Sequence, residues 1–248
     1  MILRLALTVL RGARRSFGAD ARLALAANPA YRVIGLECIP QSGPLLVTIN
    51  HYSRPGFGAW WSALTVSAHL PEPMHWIMTA EWTLVRSLGE QLLSWGSFWA
   101  LPRIARVYGF TSMPPMPPRP QDAHARGNAV RHVFAHLRTY PQAVVALSPE
   151  GRSIPNEHLG WPPPGAGRFI LHLARHTGRV LPVGVCDLDG QICVRFGPVY
   201  SIDLPAALVP AEQDRWAARQ VMQHIAALLP LEMHGEFAAE GELTWESR

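Results

Sequence analysis

Short apolar runs alternate along this chain with longer segments of helical pattern, and that alternation restricts the possible folds more than any other feature. YRVIG (31–35), LLVTIN (45–50), AVVALS (143–148), VLPVGV (180–185) and ICVRF (192–196) have the length and composition of strands. Helices are predicted over 57–70, 83–100, 121–139, 166–177 and 212–229. The last of these carries acidic residues in its opening turn and closes on a proline, as helix boundaries do. Such a rhythm builds an α/β architecture around a central sheet. With 248 residues, 48% of them hydrophobic, the chain can bury a full core as one domain, and no internal repeat divides it.

TSMPPMPPRPQ (111–121) breaks the rhythm. Proline at this density cannot enter a helix or a central strand, so the segment is predicted to cross the surface as an extended loop within the domain. LGWPPPGAG (159–167) is a second such stretch, and together they suggest proline-shaped loops near one face.

The N-terminal MILRLALTVLRGARRSF is apolar but interrupted at Arg4 and Arg11, well short of the roughly 20 residues that a spanning helix needs. Residues 1–17 have the pattern of an amphipathic helix in a membrane interface, with Leu3, Leu7 and Leu10 on one side and Arg4, Arg11 and Arg15 on another. An ordinary packed first helix fits the same residues. The remainder, 18–248, then forms the single domain.

All 22 basic residues are Arg, and the formal net charge is +4. Guanidinium stays charged and can grip phosphate or carboxylate in a bidentate fork, which suits an anionic substrate or membrane surface; a GC-rich genome would produce the same bias. The arginines are dispersed and no zinc, helix-turn-helix or aromatic RNA-binding signature accompanies them, which argues against nucleic acid as a partner. Cys38, Cys186 and Cys193 are too few and too scattered for a disulfide framework or a zinc site, so a reducing compartment and no metal are expected.

Two short motifs carry the chemistry. Asn50 and His51 end a strand and precede a helix, so the imidazole would project from a strand-to-helix turn, where α/β proteins commonly place reacting groups. Much later LSPEGRS (147–153) ends another apolar run: Glu150 can accept from hydroxyls, Gly151 lets backbone approach a ligand, and Arg152 can pair with phosphate. Both motifs stand at strand ends and could converge on one site.

In order and spacing these motifs resemble the glycerolipid acyltransferase superfamily, the lysophosphatidate acyltransferase-like proteins, whose first block is NHxxxxD and whose third is close to FPEGTRS. Residues 33–51 look like that family's opening strand, its Gly-Pro turn and the strand leading to the catalytic His. GAGRFILHLARHTGRVLPVGV (165–185) is similar to the following helix and fourth block, around Pro182, and VRFGPVYSI (194–202) to the closing strand pair. The resemblance implies a central mixed β-sheet flanked by helices. It also implies acyl transfer from acyl-CoA or acyl carrier protein, as co-substrate with no further cofactor, to a hydroxyl of a lysophospholipid or glycerol-phosphate-like acceptor at the cytoplasmic face of a membrane, with peripheral attachment. By it His51 is the general base, a role that imidazole suits because it exchanges protons near neutral pH. Asn50, Glu150, Gly151, Arg152, Ser153 and Pro182 carry over as substrate-binding residues, with Arg152 toward phosphate and Pro182 in the acyl-donor region.

The sequence departs from the family pattern in three places. Gly56 stands where the first block has its acid, the third block reads PEGRS, one residue short, and the second block's arginine has no evident counterpart. Arg103, Arg106, Arg119 and Arg126 are the candidates for that arginine. Three readings of His51 follow: a base oriented by Glu72, Glu81, Asp122 or a backbone carbonyl; a ligand holder in a catalytically inactive lipid-binding module of the same fold; or a structural histidine.

Overall fold

The computed structural model describes residues 13–26, 31–54, 57–71, 74–82, 88–116, 119–152 and 158–238, with only the backbone of 88–93. Seven strands form one sheet: β1 (Tyr31–Ile34), β2 (Leu45–Ile49), β3 (Met74–Thr79), β4 (Thr111–Met113), β5 (Val144–Leu147), β6 (Val180–Leu188) and β7 (Gln191–Phe196). They lie in the order β1-β7-β6-β2-β5-β3-β4. Every neighbouring pair is parallel except β6 with β7, an antiparallel hairpin with Cys186 opposite Cys193. The sheet is therefore mixed, as expected.

The described helices are α1 (Phe17–Ala26), α2 (Ala59–His69), α3 (Leu88–Tyr108), α4 (Ala123–Thr139), α5 (Ala166–Thr177) and α6 (Pro210–Ala226). Every residue of β2 and β5 is buried, because helices cover both faces of the central parallel strands and leave no side on which a polar residue could alternate. The path between strands fixes the coverage. From β2 the chain passes through α2 to β3 in one direction along the sheet, whereas from β5 it passes through α5 to β6 in the other. Right-handed crossovers in opposite directions put the two helices on opposite faces. In accord with this, α2 packs against α1, and α5 against α6. The order of the sheet thus reverses between β2 and β5, which are hydrogen-bonded neighbours. Crevices outside the carboxyl ends of strands at such a reversal are where open α/β sheets bind ligands.

Several sequence expectations need correction. The proline-rich segment is not loop throughout: Thr111–Met113 form edge strand β4, since the prolines begin only at 114 and Thr111 Oγ1 is held between His75 Nε2 at 2.8 Å and His132 Nδ1 at 2.7 Å. Strand β3, MHWIMT, carries a histidine that disguised it; His75 is buried with its Nε2 bonded to that same hydroxyl. Helix α3 runs through Pro102 to Tyr108 instead of stopping near 100. Helix α1 was not anticipated. Residues 13–16 are not helical, so the helix expected over 1–17 does not continue to Phe17; residues 1–12 lie outside the described residues. The Ser16 hydroxyl instead caps α1 by accepting the Ala19 amide at 3.0 Å. No helix among the described residues is long and apolar enough to cross a membrane.

Candidate functional site

The two motifs meet at the carboxyl edge of β2 and β5, on either side of the sheet reversal. Strand β2 ends at Ile49, and Asn50 then replaces a rung of the ladder to β6. Its side-chain amide donates to the Val185 carbonyl at 2.8 Å and accepts from the Val185 amide at 2.7 Å. A side-chain amide here mimics a peptide group and frees the main chain to leave the sheet. Asn50 is buried, so its part is to aim the turn that bears His51.

Glu150 completes the support from the next strand. Beyond β5 the chain turns at Ser148–Gly151, with the Gly151 amide donating to the Ser148 carbonyl at 3.1 Å. Gly151 sits at φ +66°, a left-handed conformation that favours glycine, and a side chain there would crowd Met116 of the first proline-rich segment. The turn directs Glu150 inward, where only 4% of it is exposed. Its Oε2 accepts the His51 amide at 2.6 Å and its Oε1 the Gly160 amide at 2.9 Å. One carboxylate therefore joins the His51 turn to the second proline-rich loop, and the two proline-rich segments do share this edge. Burial pushes the Glu150 carboxyl up to about 7, although both amide bonds favour its charged form.

His51, Glu150, Asn50, Tyr52, Ser53, His158 and Leu159 line a shallow pocket. Burial holds the His51 imidazole below the ordinary histidine range, and an interaction with its own main chain partly offsets this. Of the carboxylates considered as orienting partners, Glu81 and Asp122 are engaged by Arg119, at 2.7 Å and 2.5 Å. Glu72 lies outside the described residues.

Arg54 anchors the far side of the turn, pairing with Asp187 and donating to the Gly190 carbonyl at 3.1 Å in the β6–β7 hairpin. Arg54 and Phe57 exchange two main-chain bonds of 2.9 Å, which closes a tight turn; its tip, with Gly56, lies outside the described residues. Helix α2 starts only at Ala59, so helical periodicity does not relate position 56 to His51.

The remaining expected site residues are placed as follows. Arg152 is exposed and has no acidic partner among the described residues. Ser153 lies outside them. Pro182 is buried in β6 beside Thr48 of β2, inside the sheet, and its carbonyl accepts the Gly197 amide at 2.9 Å. Among the second-block candidates, Arg119 is held by Glu81 and Asp122. Arg126 donates to the Pro115 carbonyl at 3.1 Å, Arg103 to the Trp99 carbonyl at 2.9 Å, and the Arg106 side chain is exposed without a partner among the described residues. Sequence reading missed His158, which joins the pocket from beyond residues 153–157, themselves outside the described residues; a lone histidine beside a proline-rich loop gives no periodic signal. No cluster of metal-ligating side chains occurs among the described residues.

No family model matches the chain, and no curated protein matches it either. Among solved structures it is similar to the 1-acyl-sn-glycerophosphate (LPA) acyltransferase PlsC from Thermotoga maritima. The TM-score is 0.46 and the identity 15%, over 86% of this chain and 77% of that one. At that level the functional reading rests on the site's own geometry.

Proposed function

We propose that this protein is an acyltransferase that moves a fatty acyl group from a thioester, acyl-CoA or acyl carrier protein, to the hydroxyl of a lysophospholipid or glycerol-phosphate-like acceptor. The observation that carries the reading is a part-buried imidazole on a turn clamped by Asn50 and Glu150 at the reversal of the sheet, with its pKa lowered by burial. A histidine whose pKa is lowered keeps its base form at neutral pH, and its fixed main chain limits the orientations it must sample.

In the proposed reaction a His51 ring nitrogen takes the acceptor hydroxyl proton as the oxygen attacks the thioester carbonyl carbon. The tetrahedral intermediate collapses with cleavage of the C–S bond, and the imidazolium returns the proton to the leaving thiolate, giving ester and free thiol. Asn50 and Glu150 act here as positioning residues. Arg152, one residue beyond the Gly151 turn and without an acidic partner among the described residues, is suited to the acceptor's phosphate. The acyl donor supplies all the chemistry besides the protein's own, and the apolar, Arg-interrupted sequence of residues 1–12 would favour peripheral attachment at the cytoplasmic face.

The test is turnover of purified protein with acyl-CoA and acyl carrier protein donors and a lysophosphatidate acceptor, with the ester product read by mass spectrometry. Wild type should form product and His51→Ala should lose it, by about 10²-fold or more if general-base catalysis is removed. Arg152→Ala should raise KM for a phosphate-bearing acceptor more than for a neutral analogue. If wild type and His51→Ala are equally inert with every donor while both still bind the lipid, the pocket belongs to a non-catalytic lipid-binding module instead.

A further inference from the structure

Helix α3 shows water the face it would ordinarily bury. Trp95, Phe98 and Trp99, spaced i, i+3 and i+4, form one stripe and are 80%, 64% and 48% exposed. The opposite stripe, with Ser97, Leu101 and Ala105, is buried in the domain. Trp82, 47% exposed, is fastened beside the aromatic stripe: its amide donates to Ser97 Oγ at 2.8 Å and its carbonyl accepts from Ser94 Oγ. Four large exposed aromatics grouped on one surface, one of them fixed there by main-chain bonds, are not an incidental scatter of apolar surface.

Charge says what covers them. Between residues 94 and 108 there is no Asp or Glu, and the stripe continues toward the C-terminal end of α3 into Arg103 and Arg106. The Arg103 guanidinium lies 4.0 Å from the centroid of the Trp99 ring, and the Arg106 side chain is exposed and unpaired among the described residues. A second copy of this chain docked through the same stripe would bring these cations together, and residues 94–108 carry no acid to meet them. A bilayer interface with anionic headgroups meets both requirements, since indole rings settle at the headgroup level and guanidinium pairs with lipid phosphate.

We propose that the Trp82, Trp95, Phe98 and Trp99 face of α3, with Arg103 and Arg106, is a docking surface for an anionic phospholipid bilayer. The aromatics enter the headgroup and acyl boundary while the arginines hold the lipid phosphates. This contact is distinct from residues 1–12. It extends the proposed function without depending on it, because bilayer binding is read without turnover.

The test uses the full chain and sedimentation with vesicles of phosphatidylcholine alone or mixed with phosphatidylglycerol. Wild type should partition onto the mixed vesicles and less onto the neutral ones. Trp95→Ala/Phe98→Ala/Trp99→Ala should lower partitioning onto mixed vesicles by about tenfold or more, given what burying aromatic side chains contributes. Arg106→Glu should weaken binding to the mixed vesicles alone and flatten its salt dependence. Should the triple variant fail to fold, Trp95→Glu decides, since a charge on so exposed a side chain leaves the core untouched yet opposes entry into the interface. Unchanged partitioning of the folded aromatic variant overturns the proposal. So does a concentration-dependent dimer, seen by sedimentation velocity without vesicle binding and lost in that variant, which would make a second copy the occupant.

Discussion

Glu150 stands in a sequence context that suggests contact with substrate, yet both of its oxygens accept main-chain amides, from His51 and Gly160. The nature of those donors sets what a substitution does. Glu150→Gln keeps the shape but offers one acceptor and turns an NH₂ group toward the other amide, leaving a buried donor unmatched at a cost of about 1–3 kcal/mol. Because either unmatched amide loosens the clamp between the His51 turn and the Gly160 loop, kcat should fall with little change in KM for the acceptor. A loss confined to KM would instead place Glu150 on substrate. The pH dependence separates the roles further. The folded-state pKa, about 7, lies above the ordinary 4.5, so the folded protein holds this proton more tightly than the unfolded chain. Its contribution to stability is therefore complete below about pH 4.5 and is lost as pH rises through 7, an effect on the order of 3 kcal/mol. Denaturant unfolding of wild type across that window should show this decline against the Glu150→Gln background, where the titrating group is gone. Identical slopes would mean that the carboxyl is not perturbed by burial.

Among the elements, helix α5 depends most on a partner. Its opening amides are capped from α6: Asp214 accepts the Gly165 amide and the Arg168 amide, both at 2.8 Å. Gly167 between them lets α6 approach so closely that an added Cβ would stand 1.8 Å from the Asp214 carbonyl oxygen. Gly167→Ala should consequently destabilise the fold by several kcal/mol, since backbone and not a pliable side chain must move, and Asp214→Ala by about 1–2 kcal/mol as a lost helix cap. Thermal melts with the opposite ranking would show that the helices separate easily. These contacts also explain what could be read in advance. The boundaries of α5, β2 and β5, and the start of β6, were legible because each is apolar in a continuous or helical period and is punctuated by Gly, Pro or polar residues; β6 runs on to Leu188, past the expected end at 185. Strands β3 and β4 and the long run of α3 were not. His75, Thr111 and Pro102 each break a local rule, and the histidine and the threonine meet across 36 positions of sequence, with His132 on the other side of the hydroxyl. Likewise the convergence of His51 with Glu150 could be anticipated from strand ends, whereas the partner of each Glu150 oxygen, and the arrival of His158, depend on loop paths that carry no periodicity.

At the scale of the whole molecule, the question is how the N-terminal segment joins a domain whose sheet begins at Tyr31. Residues 13–17 do so through α3 and the start of β4. The Arg15 amide donates to the Val107 carbonyl at 3.0 Å, its guanidinium pairs with Asp20 through two bonds, and Tyr108 Oη donates to the same carboxylate at 2.9 Å. The Phe17 ring packs edge-on to Tyr108 and Phe110, with centroids 4.9 and 5.1 Å away. The Arg15 hydrogen bonds hold the Asp20 carboxyl below its usual range, with Tyr108 adding to the effect against the cost of burial. A lowered pKa places this contribution above the unfolded-state value and removes it as pH falls. Truncations at two points should therefore behave differently. Removing residues 1–12 leaves this junction whole, and the melting temperature should move little. Removing residues 1–17 deletes Phe17 and strands Asp20 with Tyr108 alone, a loss of about 1–3 kcal/mol for a charged hydrogen-bonded pair that is only part-buried. For a chain of this length that corresponds to a fall of roughly 2–12 °C. In acid, where Asp20 is protonated in both proteins, the longer truncation should lose the ion-pair share of its deficit and keep the share due to Phe17, while the shorter one follows the intact chain at every pH. Equal melting temperatures for the two truncations at neutral pH would show that residues 13–17 only rest on the domain, and that the Arg15–Asp20–Tyr108 junction does not bind them to it.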